Sequence, residues 1–217
     1  MVGWVAANTG PSDRTTRTWC LIASLAPDLD GLTLLGGREF YVQWHHALSH
    51  NLLFAALGTA AAARWIGAKP WQLLRVFACF LLHFVGDYYG SGPGWPLPLL
   101  APFSSWPVLN PHAWEFNGWQ SQLVLGVAAL ATCLIARACE RTPLEAVFPG
   151  MDRMFSDLAV LGFSHRCSSR DCGRTALYRC HLCRVASCGG HLQFLGWGRV
   201  ACTGCTERDR LPEAPSE

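Results

Sequence analysis

The sequence predicts an all-α membrane domain of about four transmembrane helices followed by a small zinc-stabilised module. Three observations predict it. Of the 217 residues, 51% are hydrophobic and 15% charged, with a mean hydropathy of +0.19; soluble domains carry roughly 25% charge. Four apolar segments approach the ~20 residues that a spanning helix needs. Seven of the eleven cysteines crowd between Cys167 and Cys205.

Residues 1–17 read as a polar N-terminal segment, with no apolar core before a small-residue cleavage site, so no cleavable signal peptide is expected. The membrane domain follows over 18–140. Its first segment, Thr18 to Leu35, is interrupted by Pro27, Asp28 and Asp30, which predicts a helix that stops at Pro27 or a re-entrant element. The second runs from His46 to Ile66, the third from Trp71 to Tyr89, and the fourth, the most uniformly apolar, from Trp119 to Ala138. The stretch between the third and fourth is rich in Pro, Gly and Trp and cannot be one helix. Its Trp95, Trp106, Trp114 and Trp119 suit a membrane–water boundary. Residues 141–163 read as an amphipathic linker, 164–206 as a two-zinc module, and 207–217 as an acidic, Pro-containing disordered tail.

Charge orients the chain. Arg14 and Arg17 precede the first segment, Arg64, Lys69 and Arg75 cluster where the second and third meet, and Arg137 and Arg141 end the fourth. With four spans these groups share one side, which the positive-inside rule makes cytoplasmic, as are both termini. A cytoplasmic tail is reduced, so its cysteines read as zinc ligands, not disulfides. Cys20, Cys79, Cys133 and Cys139 read as small apolar side chains. A net charge of +2 argues against a nucleic-acid partner.

Ionisable residues inside apolar segments mark the candidate chemistry: Asp28 and Asp30, His45, His46 and His50, and His83 and Asp87. Four residues separate His83 from Asp87, and His46 from His50, so each pair shares a helix face. In the four-span arrangement all seven lie toward the side opposite the basic groups. An aspartate in a membrane helix costs about 2.5–3.5 kcal/mol, and one or two divalent cations would offset that. Imidazole with carboxylate suits Zn²⁺, Mn²⁺ or Fe²⁺ better than Ca²⁺, and paired ions activate water against phosphoesters. A proton relay or a structural polar network is the alternative. His112 and Glu115 are further candidates for a ligand or general base, or for plain loop contacts.

Four motifs occur in order: Pro27-Asp28-Leu29-Asp30; His45-His46-Ala47-Leu48-Ser49-His50-Asn51; His83-Phe84-Val85-Gly86-Asp87; and Leu99-Leu100-Ala101-Pro102-Phe103-Ser104. Over roughly residues 18–138 they resemble the LexA-binding, inner-membrane-associated family of metal-dependent hydrolases. The resemblance implies that Asp28, Asp30, His45, His50, His83 and Asp87 are metal ligands or their close supports, with Asp28, Asp30, His83 and Asp87 catalytic. It also implies a bacterial inner-membrane location. The chain departs from the family pattern at His46, where the family has Arg, at Asn51, where it has Ser, and at Thr16-Arg17-Thr18-Trp19, where it has a His. The motifs are more distantly similar to zinc-dependent phospholipase C, which implies a phosphoester or lipid-like substrate.

The cysteine pattern is C-x4-C-x7-C-x2-C-x4-C-x2-H-x10-C-x2-C, eight ligands for two closed structural sites. It resembles a B-box-like cross-brace zinc finger. That resemblance implies Cys167, Cys172, Cys188 and His191 on one ion and Cys180, Cys183, Cys202 and Cys205 on the other; sequential pairing is the alternative. His165 and His181 are possible substitutes. Such a module suits a protein partner, while Arg166, Arg170, Arg174, Arg179 and Arg184 suit anionic lipid. The expected function is a membrane metal-dependent hydrolase with a cytoplasmic zinc finger. The rival is a membrane-anchored zinc-finger scaffold with a degenerate hydrolase domain, and a transporter is less favoured because no inverted repeat is visible.

Overall fold

The computed structural model describes residues 1–67, 69–161, 167–169, 172, 174, 176–196 and 199–208. His165, Arg166, Arg170 and most of the expected tail lie outside them. The chain divides into two compact units, Met1–Thr132 and Cys133–Glu217.

The first unit is helical. Helix α1 spans Val2–Ala7 and α2 Arg14–Ala23; a 3-10 run follows over Ala26–Gly36; then come α3 Arg38–Trp44, α4 Leu52–Ile66, α5 Pro70–Gly90 and α6 Trp119–Cys139, which continues past the unit boundary. Asp13 starts α2 by accepting a hydrogen bond from Thr16 N at 2.8 Å, and Asn51 starts α4 in the same way from Phe54 N at 2.8 Å. Pro70 opens α5, where its missing N–H has no intrahelical partner to lose.

Small residues let these helices approach closely. Ala7, Cys20, Ala23, Ala55, Ala62, Val76, Cys79, Phe80 and Phe84 form the shared core, as expected where close van der Waals packing holds membrane helices together. Gly3 and Gly58 mark the tightest approaches. A Cβ on Gly3 would lie 2.3 Å from Ser24 Oγ, and one on Gly58 would lie 2.5 Å from Phe80 Cζ.

Several expectations need correction. Residues 1–17 are not simply a polar segment, because α1 buries Trp4 and Ala7 completely. The described helices include two, α5 and α6, that are long and apolar enough to cross a membrane, or three if α2 and the 3-10 run, bent by 43°, count as one broken span. Four spans are not seen among the described residues. Helix α4 has 15 residues, ~22 Å at 1.5 Å per residue, against a hydrocarbon core of ~30 Å. It starts at Leu52 because His45–Asn51 are turns and bends, with His46 in the left-handed region at φ 68°. His46 and His50 therefore do not share a helix face.

The Pro/Gly/Trp stretch is non-helical as expected. It closes through reciprocal hydrogen bonds between Leu97 and Val108 at 3.0 and 2.9 Å, and it is tied to α5 by Trp114 N donating to Tyr89 O at 2.8 Å.

The second unit contains α7 Pro149–Leu161, strands β1 Tyr178–Arg179, β2 Ala186–Ser187, β3 Leu192–Gly196 and β4 Arg199–Cys202, and α8 Thr203–Arg208. β1 pairs antiparallel with β2, and β3 with β4. The segment expected as a linker belongs to this unit. In α7, Asp157 is buried and accepts a hydrogen bond from Arg179 N at 3.0 Å. Burial pushes the Asp157 carboxyl up.

Candidate metal centres

In the first unit the 3-10 run, the His45–Asn51 turn and α5 bring all seven predicted residues together, but in different roles. Asp30 is a hub. Its carboxylate accepts from His45 Nδ1 at 2.8 Å, His46 N at 2.9 Å and His50 Nδ1 at 3.0 Å. Ser49 Oγ donates to Pro27 O at 2.5 Å and pins the turn to the 3-10 run.

These bonds set which nitrogen of each ring faces outward. A carboxylate only accepts, so His50 Nδ1 donates to Asp30 and Nε2 is the nitrogen left for the site; in the neutral ring that atom carries the lone pair a metal takes. His83 Nδ1 lies 3.0 Å from the Ser24 carbonyl, also an acceptor, so His83 likewise turns Nε2 toward the site. The two Nε2 atoms face each other at 3.2 Å. Asp87 Oδ2 lies 3.1 Å from His83 Nε2 and 3.2 Å from His50 Nε2, and Asp28 Oδ1 lies 3.5 Å from His83 Nε2. Ligands ~2.0–2.1 Å from a tetrahedral ion are ~3.3 Å apart.

One buried polar atom here, His46 Nδ1, has no hydrogen-bond partner among the described residues. Buried polar groups are rarely left so. Asp28, His50 and His83 form one group that could hold a metal, and His46, His50 and Asp87 form another. Because both groups need the single outward nitrogen of His50, they describe one ion's surroundings better than two. Asp30 and His45 are in neither group; Asp30 instead bonds to His45, His46 and His50. His112 and Glu115 also join neither, and the His112 backbone N–H simply caps Asn110 Oδ1 at 3.0 Å.

Three contributors had no signal in the sequence spacing. Tyr41 stacks on His45 with ring centroids 4.4 Å apart, and Trp95 lies 5.6 and 5.5 Å from the rings of His45 and His46. The third is the Ser24 carbonyl.

In the second unit Cys167, Cys172, Cys188 and His191 form one group and Cys180, Cys183, Cys202 and Cys205 the other, the interleaved pairing. Cys172 and Cys188 are 3.7 Å apart and Cys183 and Cys202 3.6 Å; His191 Nδ1 is 3.5 and 3.4 Å from the sulfurs of Cys167 and Cys188. Tetrahedral zinc gives ~3.8 Å between sulfurs and ~3.6 Å between sulfur and nitrogen, so both groups could bind zinc. Burial alone would raise the Cys180 thiol, but the N–H groups of Cys183 and Cys202 outweigh it and bring it down to about 6. Its neighbour Cys205 is pushed up to about 12 by Cys183 and Cys202. Four packed thiols cannot all ionise unless a cation joins them. His181 is not a substitute ligand; its Nδ1 lies 3.0 Å from Arg153 Nη1.

A model of the YdjM inner membrane protein family matches residues 1–151. No curated protein and no solved structure matches the chain.

Proposed function

Since the chain belongs to the YdjM inner membrane protein family, we propose that its first unit is a membrane-embedded metal-dependent hydrolase acting on a phosphoester in a lipid-like substrate. The carrying observation is the pair of imidazole Nε2 atoms facing each other at 3.2 Å with carboxylate oxygens beside them. Asp28, His50, His83 and Asp87 would hold one divalent ion, zinc or manganese, with His46 completing the enclosure. When bound, such an ion supplies Lewis acidity and acidifies water to a nucleophile near neutral pH.

The protein's own groups supply the rest. Asp30 and the Ser24 carbonyl lock the rings of His50 and His83, so the site is organised before anything binds. Asp28 is the open edge, its side chain 59% exposed against 1% for Asp30. Leu25 and Leu29 beside it are also exposed, so a ligand reaching Asp28 meets apolar surface, which suits an amphiphile. Trp95 and Tyr41 pack against the opposite, histidine side.

The second unit is proposed to carry two structural zinc ions and to bind a protein partner, with the membrane unit anchored in the inner membrane and both termini cytoplasmic. The full chain should then hold three ions. His50→Ala and His83→Ala should each lower elemental-analysis metal content from three to two per chain and abolish metal-stimulated hydrolysis of a phosphodiester lipid in detergent. Unchanged content in both variants would sink the reading. Two ions in the unaltered protein would favour the scaffold reading instead.

A further inference from the structure

Arg75 stands five residues into α5, a helix apolar enough to span a membrane. Charged residues inside such helices normally face a partner or a polar cavity. Among the described residues no carboxylate pairs with Arg75; Nη1 donates to the Pro11 carbonyl at 3.1 Å. That single bond leaves most of the guanidinium's five N–H groups without a partner shown. Arg75 lines a groove of about 560 Å³ whose other walls are Pro11, Trp71, Leu74 and Ala78. Trp71 and Leu74 are 78% and 55% exposed.

The surroundings place this groove at headgroup depth. Trp65, 70% exposed, and Trp71 flank the α4–α5 turn, and tryptophans so placed mark the membrane–water boundary. Arg64 lies in the last turn of α4 and Lys69 caps the start of α5, and Lys69 meets Asp13 at only 3.6 Å with both side chains exposed. Three cations against the carboxylate of Asp13 favour an anion. The groove itself is apolar, which a free anion would not use.

We propose that this groove is a binding site for an anionic phospholipid, with its phosphate on the Arg75 guanidinium and an acyl chain along Trp71, Leu74 and Ala78. A planar guanidinium takes two phosphate oxygens at once, and the Pro11 carbonyl already fixes its direction. The site is at the opposite end of α5 from His83 and Asp87 and does not depend on the proposed hydrolase activity.

The test uses the full chain purified in detergent, with phosphatidylglycerol, phosphatidylcholine or inorganic phosphate added, and two readouts: the unfolding midpoint and lipid retained in native mass spectrometry. Phosphatidylglycerol should raise the midpoint and be retained. Arg75→Gln should weaken retention roughly tenfold, about one charge-assisted contact. Ala78→Trp fills the groove while keeping the Arg75 charge and should also abolish retention, so a folding defect in the first variant leaves the test intact. The proposal is overturned if phosphatidylcholine or inorganic phosphate gives the same shift, or if Ala78→Trp retains phosphatidylglycerol as the unaltered chain does.

Discussion

Asp28 and Asp30 stand two residues apart in a tight 3-10 run, and that spacing turns them to different neighbours. Asp30 faces inward onto three N–H donors; Asp28 faces outward beside His83. Asp30→Asn keeps the shape but replaces one acceptor oxygen with a donor that opposes a histidine N–H or the His46 amide. Partners that orient metal ligands are worth about 10–100-fold in affinity. On the proposed membrane metal site, chelator competition should show a loss of that size, with metal binding at the cysteine clusters unchanged; unaltered affinity would mean that Asp30 orients nothing. The residue types of the site were legible, because ionisable groups in an apolar chain draw notice whatever their fold. Their division of labour was not. It depends on which nitrogen of each ring is engaged, and no spacing encodes that. Tyr41 and Trp95 were invisible for a related reason: they reach the histidines through the fold of a turn and a loop.

Helices α5 and α6 were legible almost to the residue, since ~20 apolar residues between polar ends admit few other structures. Helix α1 was not, because six residues are too few to display a periodicity, and its burial comes from α2 and α5. Helix α7 shows the opposite failure. Its amphipathic pattern was readable, but that Asp157 would be buried against the Arg179 amide was not. The α4–α5 contact makes a prediction at this scale. Gly58 leaves no room for a methyl group against the Phe80 ring, itself 3% exposed. Overpacking of this kind costs about 1–3 kcal/mol. Gly58→Ala should therefore lower the unfolding midpoint in detergent, and adding Phe80→Leu should recover part of the loss. No recovery in the double variant would place the strain elsewhere.

At the scale of the whole molecule the two units rest on different sources of stability. The first has a continuous helical core. Among the described residues the apolar side chains buried in the second are alanines, cysteines and Val200, so zinc would supply most of its folding free energy. The interleaved ligand pairs add a constraint. Residues 180–183 lie between the two halves of the first cluster, and 188–191 between the two halves of the second. Releasing one ion loosens the loop that holds the other. Chelation should therefore remove both ions in one cooperative step, leaving the helical signal of the membrane unit in place. Cysteine binds as thiolate, so the apo clusters hold more protons than the loaded ones, and affinity must fall as pH falls. Acidification should release zinc along the same cooperative curve, followed with a colorimetric zinc indicator and circular dichroism. Cys205→Ser removes one ligand of the all-cysteine cluster and should shift release of both ions to higher pH. If the Cys167, Cys172, Cys188 and His191 cluster instead keeps its ion at the original pH in that variant, the two sites are independent and the interleaving carries no cooperativity.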